Sequence, residues 1–374
     1  MSETLLLKNI FSPILVSILA QNVKIVHPEF REKDFINRIE PNLDSLELKQ
    51  RAQLISLALH EFLPQNYVDA CRIIKASMSL SDSDRQKIGK YPEFYFMPFA
   101  EYIAAYGLEY FDDSTSAIYD LTKVFTSEFC IRPFIEKYPL EMNRMLHQWA
   151  MDESQHVRRL VSEGTRPRLP WASRLPAFQK DPKPVFELLE KLKSDPELYV
   201  RRSVANNLND IAKDNPDQVM KCLQRWSSVN DVGTQWVIGH ASRTLIKDGH
   251  IEALKLQGFD PAAPLKVEAF KVDGLVNYGG KLTFEFKLTN TGTSASNYLI
   301  DFVIHFMKSN GRQAPKVFKL SAKKLRPGDS VHVVKAHPIK PISTRKYYNG
   351  PQRIAIQING VERAEALFQL EGVS

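Results

Sequence analysis

SDPELYVRRSVANNLNDIAKDNP, residues 194–216, is the stretch whose reading decides the fold. It can be superposed on MDESQHVRRLVSEG (151–164) before it and on VNDVGTQWVIGHASRTLIKDG (229–249) after it. In each, an aspartate (Asp152, Asp195, Asp231) stands five residues ahead of a hydrophobic position: Val157, Val200 and Trp236. Each segment follows another amphipathic helical run: EMNRMLHQWAM (141–151), VFELLEKLKS (185–194) and QVMKCLQRWSS (218–228). The aspartates are 43 and 36 residues apart, the period of helix-pair solenoids of the HEAT or armadillo kind. They fit the N-cap of each second helix, where a short carboxylate satisfies the first free N–H groups. Stacked pairs build a long concave groove lined by the second helices. That arrangement makes Arg158, Arg159, Arg201, Arg202, Trp236 and Arg243 candidates for one basic wall.

Working outward from the repeats, everything before residue 260 reads as helix. LDSLELKQRAQLISLALHEFL (43–63) carries a helical stripe behind Asp44 or Ser45 as cap, and further runs occupy roughly 66–78, 98–108 and 115–129. The apolar run Phe11 to Ala20 is too short to span a bilayer, and Glu3, Pro13 and Gln21 argue against a signal peptide. A first amphipathic helix is the better reading.

At Gly258 to Pro264 (GFDPAAP) the character changes to that of a linker. Beyond it the apolar period becomes two, in about seven short segments separated by Asn-Gly and Pro-Gly turns. This predicts a β-sandwich of immunoglobulin-like architecture without the antibody cysteine pair. The expected organisation is therefore a helical repeat domain over 1–260 and a β-sandwich over 265–374.

The chain of 374 residues has a net charge of +7. From Leu265 onward there are 17 Lys+Arg against 8 Asp+Glu, a surplus of +9, so the preceding residues sum to −2. A basic excess of this kind points to a polyanionic partner. Cys71, Cys130 and Cys222 are odd in number and far apart, which suits a reducing cytoplasm and gives neither a disulfide framework nor a zinc pattern.

Within the helical part, VRRLVSEGTRPRLPWASR (157–174) is exceptional. Arg158, Arg159, Arg166, Arg168 and Arg174 surround one carboxylate, Glu163, and one indole, Trp171. The segment opens as helix, breaks at Gly164 and is held extended by Pro167 and Pro170. Glu128 lies among apolar residues in FTSEFCIRPF (125–134), with Arg132 at i+4 as its nearest local partner. A second basic loop, Pro338 to Gln352, offers Lys340, Arg345 and Lys346 for phosphate and Tyr347 and Tyr348 for stacking. Solubility of an exposed edge loop explains it equally well. His147, Asp152, Glu153 and His156 crowd one segment without the spacing of a zinc site. Phosphate-cradling glycine loops and the G-x-S-x-G elbow are absent, so no cofactor is expected.

At SEFCIRPF (127–134), VRRLVSEGTRPRLPWASRLP (157–176), VRRSVANNLNDIAKDNP (200–216) and TQWVIGHASRTLIKDG (234–249), the sequence resembles the AlkC branch of the AlkC/AlkD family of bacterial DNA alkylation-repair glycosylases. Some members of that branch carry a C-terminal immunoglobulin-like domain. The resemblance implies hydrolysis of the N-glycosidic bond of cationic bases such as 3-methyladenine and 3-methylcytosine, without flipping the lesion into a pocket. It implies that Glu163 and Glu128 are the acidic positions and Trp171 the aromatic beside the lesion. It also implies that Arg202 and Arg243 face the DNA backbone. The expected partner is double-stranded DNA, held by a cytoplasmic monomer with no membrane attachment. The competing expectation is a HEAT-repeat scaffold that binds DNA or a protein without chemistry, since such repeats are scaffolds more often than enzymes.

Overall fold

The computed structural model describes residues 6–342 and 345–373. Ser343 and Thr344, in the second basic loop, lie outside the described residues. Among the described residues, seventeen α-helices and three short 3-10 helices precede eight β-strands. The apolar N-terminal run lies in the helix Pro13–Val26, whose side chains Leu15, Val16, Ile18, Leu19 and Val23 are buried. No helix among the described residues is long and apolar enough to cross a membrane.

Two helix boundaries differ from those expected, each for a local reason. The helix expected from residue 43 begins at Leu48, because residues 40–45 wind as a 3-10 helix and Glu47 with Gln50 forms the capping box. The run expected over 115–129 stops at Thr122, and residues 123–131 form turns before a short helix, Arg132–Lys137, with Pro133 in its first turn. A proline tolerates that first turn and disfavours continuous helix before it. Glu128 therefore sits in a connection between helices.

The repeats appear as helix pairs: Pro139–Trp149 with Gln155–Gly164, Lys183–Leu192 with Leu198–Ile211, and Pro216–Ser227 followed by Val232–Ala241. Asp231 accepts the Thr234 amide at 2.6 Å and so caps its helix. Asp152 and Asp195 instead accept the amides of Ser154 and Glu197 at 2.8 and 2.9 Å, closing the turn one step ahead of the helix. By packing, the chain falls into two compact units, Met1–Asn215 with Asn230–Val237, and Pro216–Val229 with Ile238–Ser374. Helix gives way to strand between Leu256 and Leu265, where the linker was expected, yet the helices beyond residue 238 pack with the strands.

The strands are β1 (Leu265–Val272), β2 (Leu275–Asn277), β3 (Lys281–Asn290), β4 (Ser296–Met307), β5 (Gln313–Leu325), β6 (Ser330–Pro338), β7 (Gly350–Ile358) and β8 (Val361–Glu371). They form sheets of order β1-β3-β6 and β2-β8-β7-β4-β5, antiparallel except for the β2–β8 pair. Alternate residues of β3 (Leu282, Phe284, Phe286, Leu288) and of β4 (Tyr298, Ile300, Phe302, Ile304, Phe306) fill the core between the sheets. The linker is docked onto this sandwich. Asn359 Nδ2 donates to the Asp260 carbonyl at 2.7 Å, Arg363 to Pro261 at 2.6 Å and the Tyr298 hydroxyl to Pro264 at 2.8 Å. Gly360, at φ +78°, leaves no room for a side chain, since a Cβ would stand 2.6 Å from Leu254 Cδ1 and 3.1 Å from Gly249 Cα.

Candidate active site and nucleic-acid interface

The Gln155–Gly164 helix buries Val157, Leu160 and Val161 and carries Glu163 in its last turn. Gly164 follows because a Cβ there would lie 2.8 Å from Ile131 Cγ2. The absent side chain lets the connection bearing Glu128 press against the end of the helix bearing Glu163. From the neighbouring repeat, Leu198–Ile211 contributes Ser203, whose hydroxyl donates to Glu163 Oε2 at 2.6 Å. Ser162 donates in turn to Ser203 at 2.7 Å. Arg166 donates to Glu163 Oε1 at 2.6 Å and is anchored on its other side by Asp210 at 2.7 Å.

Glu128 accepts from Thr126 Oγ1 at 2.6 Å and from Arg159 at 3.0 Å. Arg159 also stands 3.8 Å from Glu163 and 4.8 Å over the Tyr199 ring, so one guanidinium bridges both acids. Burial works against the charge on Arg159 and Arg166, but the surrounding carboxylates outweigh it, and both pKa values stand above the usual arginine value. Glu128, Glu163 and Asp210 thus share the half-buried guanidiniums of Arg159 and Arg166, three carboxylates on two arginines. Lys213 pairs with the other oxygen of Asp210 at 2.9 Å from an exposed position and supplies the third cation.

The partner expected for Glu128, Arg132, does something else. With Glu128 in a turn, the i+4 relation no longer places the two on one helical face. Arg132 is buried and donates to the carbonyls of Gly164 (2.8 Å), Arg166 (2.9 Å) and Ser173 (3.1 Å). Burial without a paired carboxylate pushes its pKa down to about 10. One side chain thereby ties both ends of the 164–174 loop, whose carbonyls would otherwise lack partners. Across from it, Lys49 Nζ lies 4.5 Å over the Phe129 ring and donates to the Trp171 carbonyl. Trp171, at φ +64°, is 79% exposed.

Glu128, Glu163 and Trp171 line one cleft of about 1250 Å³, with Phe94, Phe125 and Phe129 on its walls. The sequence did not bring forward Lys49, Ser203 or Asp210, and it offered Arg132 only as a partner for Glu128. Ser203 and Asp210 belong to the very repeat quoted at the outset, but nothing in their spacing marks them as reaching across to Glu163.

Four of the arginines expected on a phosphate-binding surface are committed internally. Arg158 makes two hydrogen bonds to Asp195, Arg159 and Arg166 belong to the network above, and Arg168 pairs with Asp214. Counting charge along the segment missed the acids supplied by the following repeat. Arg174 and Arg202 are exposed and make no ion pair among the described residues. Trp236 is half-buried on its helix, and Arg243 is exposed and donates to the His240 carbonyl at 2.7 Å. In the sandwich, Lys340 and Lys346 are exposed. Arg345, expected to contact phosphate, is half-buried with its guanidinium 4.3 Å over the Phe306 ring, and Tyr347, expected to stack, is buried in the core and presents no free face to a base. Among the described residues no group of three or more His, Cys, Asp or Glu is placed to hold a metal, and the three cysteines are free and buried.

Residues 108–245 match the family described as DNA alkylation repair enzyme. Residues 266–372 match the C-terminal Ig-like domain of the uncharacterised protein YhaZ. The uncharacterized protein YhaZ of Bacillus subtilis (strain 168) is 34% identical over 369 residues, 97% of this chain and 99% of that protein. The structure of Pseudomonas fluorescens alkylpurine DNA glycosylase AlkC, bound to DNA containing an abasic site analog, superposes with a TM-score of 0.90 at 33% identity. The match covers 98% of this chain and 99% of that one. The chain belongs to the AlkC branch of the DNA alkylation repair family. Its helical repeat region followed by an Ig-like sandwich is the AlkC-type architecture; Glu128, Glu163 and Trp171 lie within the part matched by the repair-enzyme family, whereas the cleft wall with Lys49, Phe94 and Glu101 precedes it.

Proposed function

We propose that this protein is a monofunctional DNA glycosylase that hydrolyses the N-glycosidic bond of cationic N3-alkylated bases, 3-methyladenine and 3-methylcytosine, in duplex DNA. The observation that carries the reading is a pair of carboxylates, Glu163 buried and Glu128 partly so, bridged by one arginine beside an exposed tryptophan in a single cleft. Alkylation at N3 leaves the base positively charged and already a good leaving group, so no general acid is needed. The demand falls on the deoxyribose, which develops oxocarbenium charge, and on the water that captures it. A preorganised negative site answers both. Glu163, fixed by Ser203 and Arg166, would stabilise the cationic sugar and orient the water, with Glu128 as its partner. Trp171 would support the deoxyribose, and a cation over an indole face gains further attraction. Because these groups border an open cleft and the tryptophan projects outward, the reading favours attack on a lesion left in the duplex over one flipped into a pocket. Arg174, Arg202 and Arg243, with Lys340 and Lys346 of the sandwich loop, would contact phosphates.

The test is Glu163→Gln. The substitution keeps the Ser203 and Arg166 contacts within reach but removes the charge. Release of 3-methyladenine should fall by about 100-fold or more, with affinity for duplex DNA within a few-fold of wild type. Undiminished release in that variant would sink the assignment of Glu163. The scaffold reading predicts no release of free base by the wild-type protein, so one assay on methylated DNA separates the two.

A further inference from the structure

The cleft holds four carboxylates, and three of them are met by cations. Glu47 pairs with Lys8 at 2.7 Å, Glu128 with Arg159 and Glu163 with Arg166. The fourth, Glu101, lies on the helix Met97–Tyr106 and makes no ion pair among the described residues. Its carboxylate accepts only the Gln53 amide, at 3.4 Å, from the neighbouring helix Leu48–Phe62. Lys49, one turn before Gln53, is the nearest available cation, yet it is spent on the Phe129 ring and the Trp171 carbonyl. Around Glu101 the wall is apolar: Phe94, Met97, Ala100, Ala104 and Phe125. A half-buried carboxylate in such surroundings is costly unless something completes it.

We propose that Glu101, positioned by Gln53, is a specificity-determining carboxylate that receives the positive charge of the alkylated nucleobase. This rests on the glycosylase reading above and extends it to how the cleft selects its substrate. Glu163 and Glu128 have their charge partly met by arginine, which suits a site that responds to charge developing on the sugar. Glu101 feels the charge of Lys49 but has no cation in ion-pair contact until a cationic base arrives, so it distinguishes a charged base from a neutral one before any bond breaks. Burial raises its pKa, against the opposing effects of Gln53 and Lys49, and the thiol of Cys130 nearby is itself held protonated by burial. A bound cation favours the ionised carboxylate, so charge selection weakens as pH falls through this raised value.

The experiment compares single-turnover release of 3-methyladenine by the full-length wild-type and Glu101→Gln proteins between about pH 5 and 8. A duplex carrying the neutral isostere 3-deaza-3-methyladenine serves as competitor. Glu101→Gln should raise the half-saturating concentration for the cationic duplex roughly tenfold or more. The maximal rate should stay within about threefold, the acidic limb of the saturation profile should vanish, and affinity for the neutral duplex should not change. Equal saturation by both proteins across the pH range overturns the proposal, as does parallel weakening of the charged and neutral duplexes, which marks a structural role. Gln53→Glu supplies an independent arm. A second carboxylate beside Glu101 should move the acidic limb to higher pH, and an unmoved limb counts against the subsite. If the wild type releases no base, the glycosylase reading fails instead. Charge preference is then read from binding alone, where its loss in Glu101→Gln supports the subsite and its retention rejects it.

Discussion

Trp171 adopts φ +64°, in a region that bulky residues occupy only at a cost of about 1–2 kcal/mol. The strain is sustained from outside, by Arg132 on the Ser173 carbonyl and Lys49 on the carbonyl of Trp171 itself. Such a cost at a solvent-facing side chain marks a residue kept for what it touches. Trp171→Gly should therefore leave stability unchanged or raise it by up to about 1 kcal/mol, because glycine accepts positive φ freely. Base release should collapse in the same variant. Urea denaturation alongside a release assay checks both, and a variant that loses stability and activity together would contradict this account. The candidate acids themselves were legible from sequence because each was an isolated charge in an unlikely place. Their partners were not, because Arg159 reaches Glu128 across 31 positions and Ser203 reaches Glu163 across 40. Local spacing carries no information about such contacts.

At the scale of elements, the repeat period and the switch from helical to strand alternation were written plainly enough to give the order of the architecture. Both are periodic signals summed over many residues. Helix ends were harder to place, since Pro133 moved one boundary and a capping box another. Tyr347 shows a further limit. An aromatic in a basic loop reads as a binding residue until the loop folds back and buries it. Strand β4 carries a feature that alternation alone does not expose. Asp301 is buried, and burial pushes its pKa up to about 6, with Lys319 and Lys247 opposing. A carboxyl whose folded pKa lies above its unfolded value of about 3.9 favours the fold when protonated, so stability falls as pH rises from about 4 to 6. Asp301→Asn should accordingly stabilise the protein by on the order of 1–3 kcal/mol at pH 8, and by little at pH 4. Thermal melts at the two pH values decide it, and a constant difference would exclude the titration as its cause.

For the whole molecule, the distribution of charge takes on a more definite meaning. The residues before Leu265 sum to −2 in spite of their arginine-rich segment, and the network of Arg158, Arg159, Arg166 and Arg168 explains how the positive charge is absorbed. The surplus of +9 that follows is less committed, with Lys340 and Lys346 exposed on the sandwich loop. If these lysines contact phosphate, the double variant Lys340→Ala/Lys346→Ala should flatten the dependence of log K on log salt by about 1–2 units of slope. The single-turnover rate at saturating DNA should stay near wild type. An unchanged slope would place the sandwich loop away from the duplex.

The docking of the linker also bears on how such chains can be recombined. Gly249 and Gly360 meet backbone to backbone, and Asn359 and Arg363 hold the carbonyls of Asp260 and Pro261. A side chain gained at either glycine has no accommodating change available in the other. The sandwich is therefore not a cassette that ends where its first strand begins. A chimera joined at residue 264 would separate contacts that have to be inherited together, whereas one joined ahead of residue 238 would keep them.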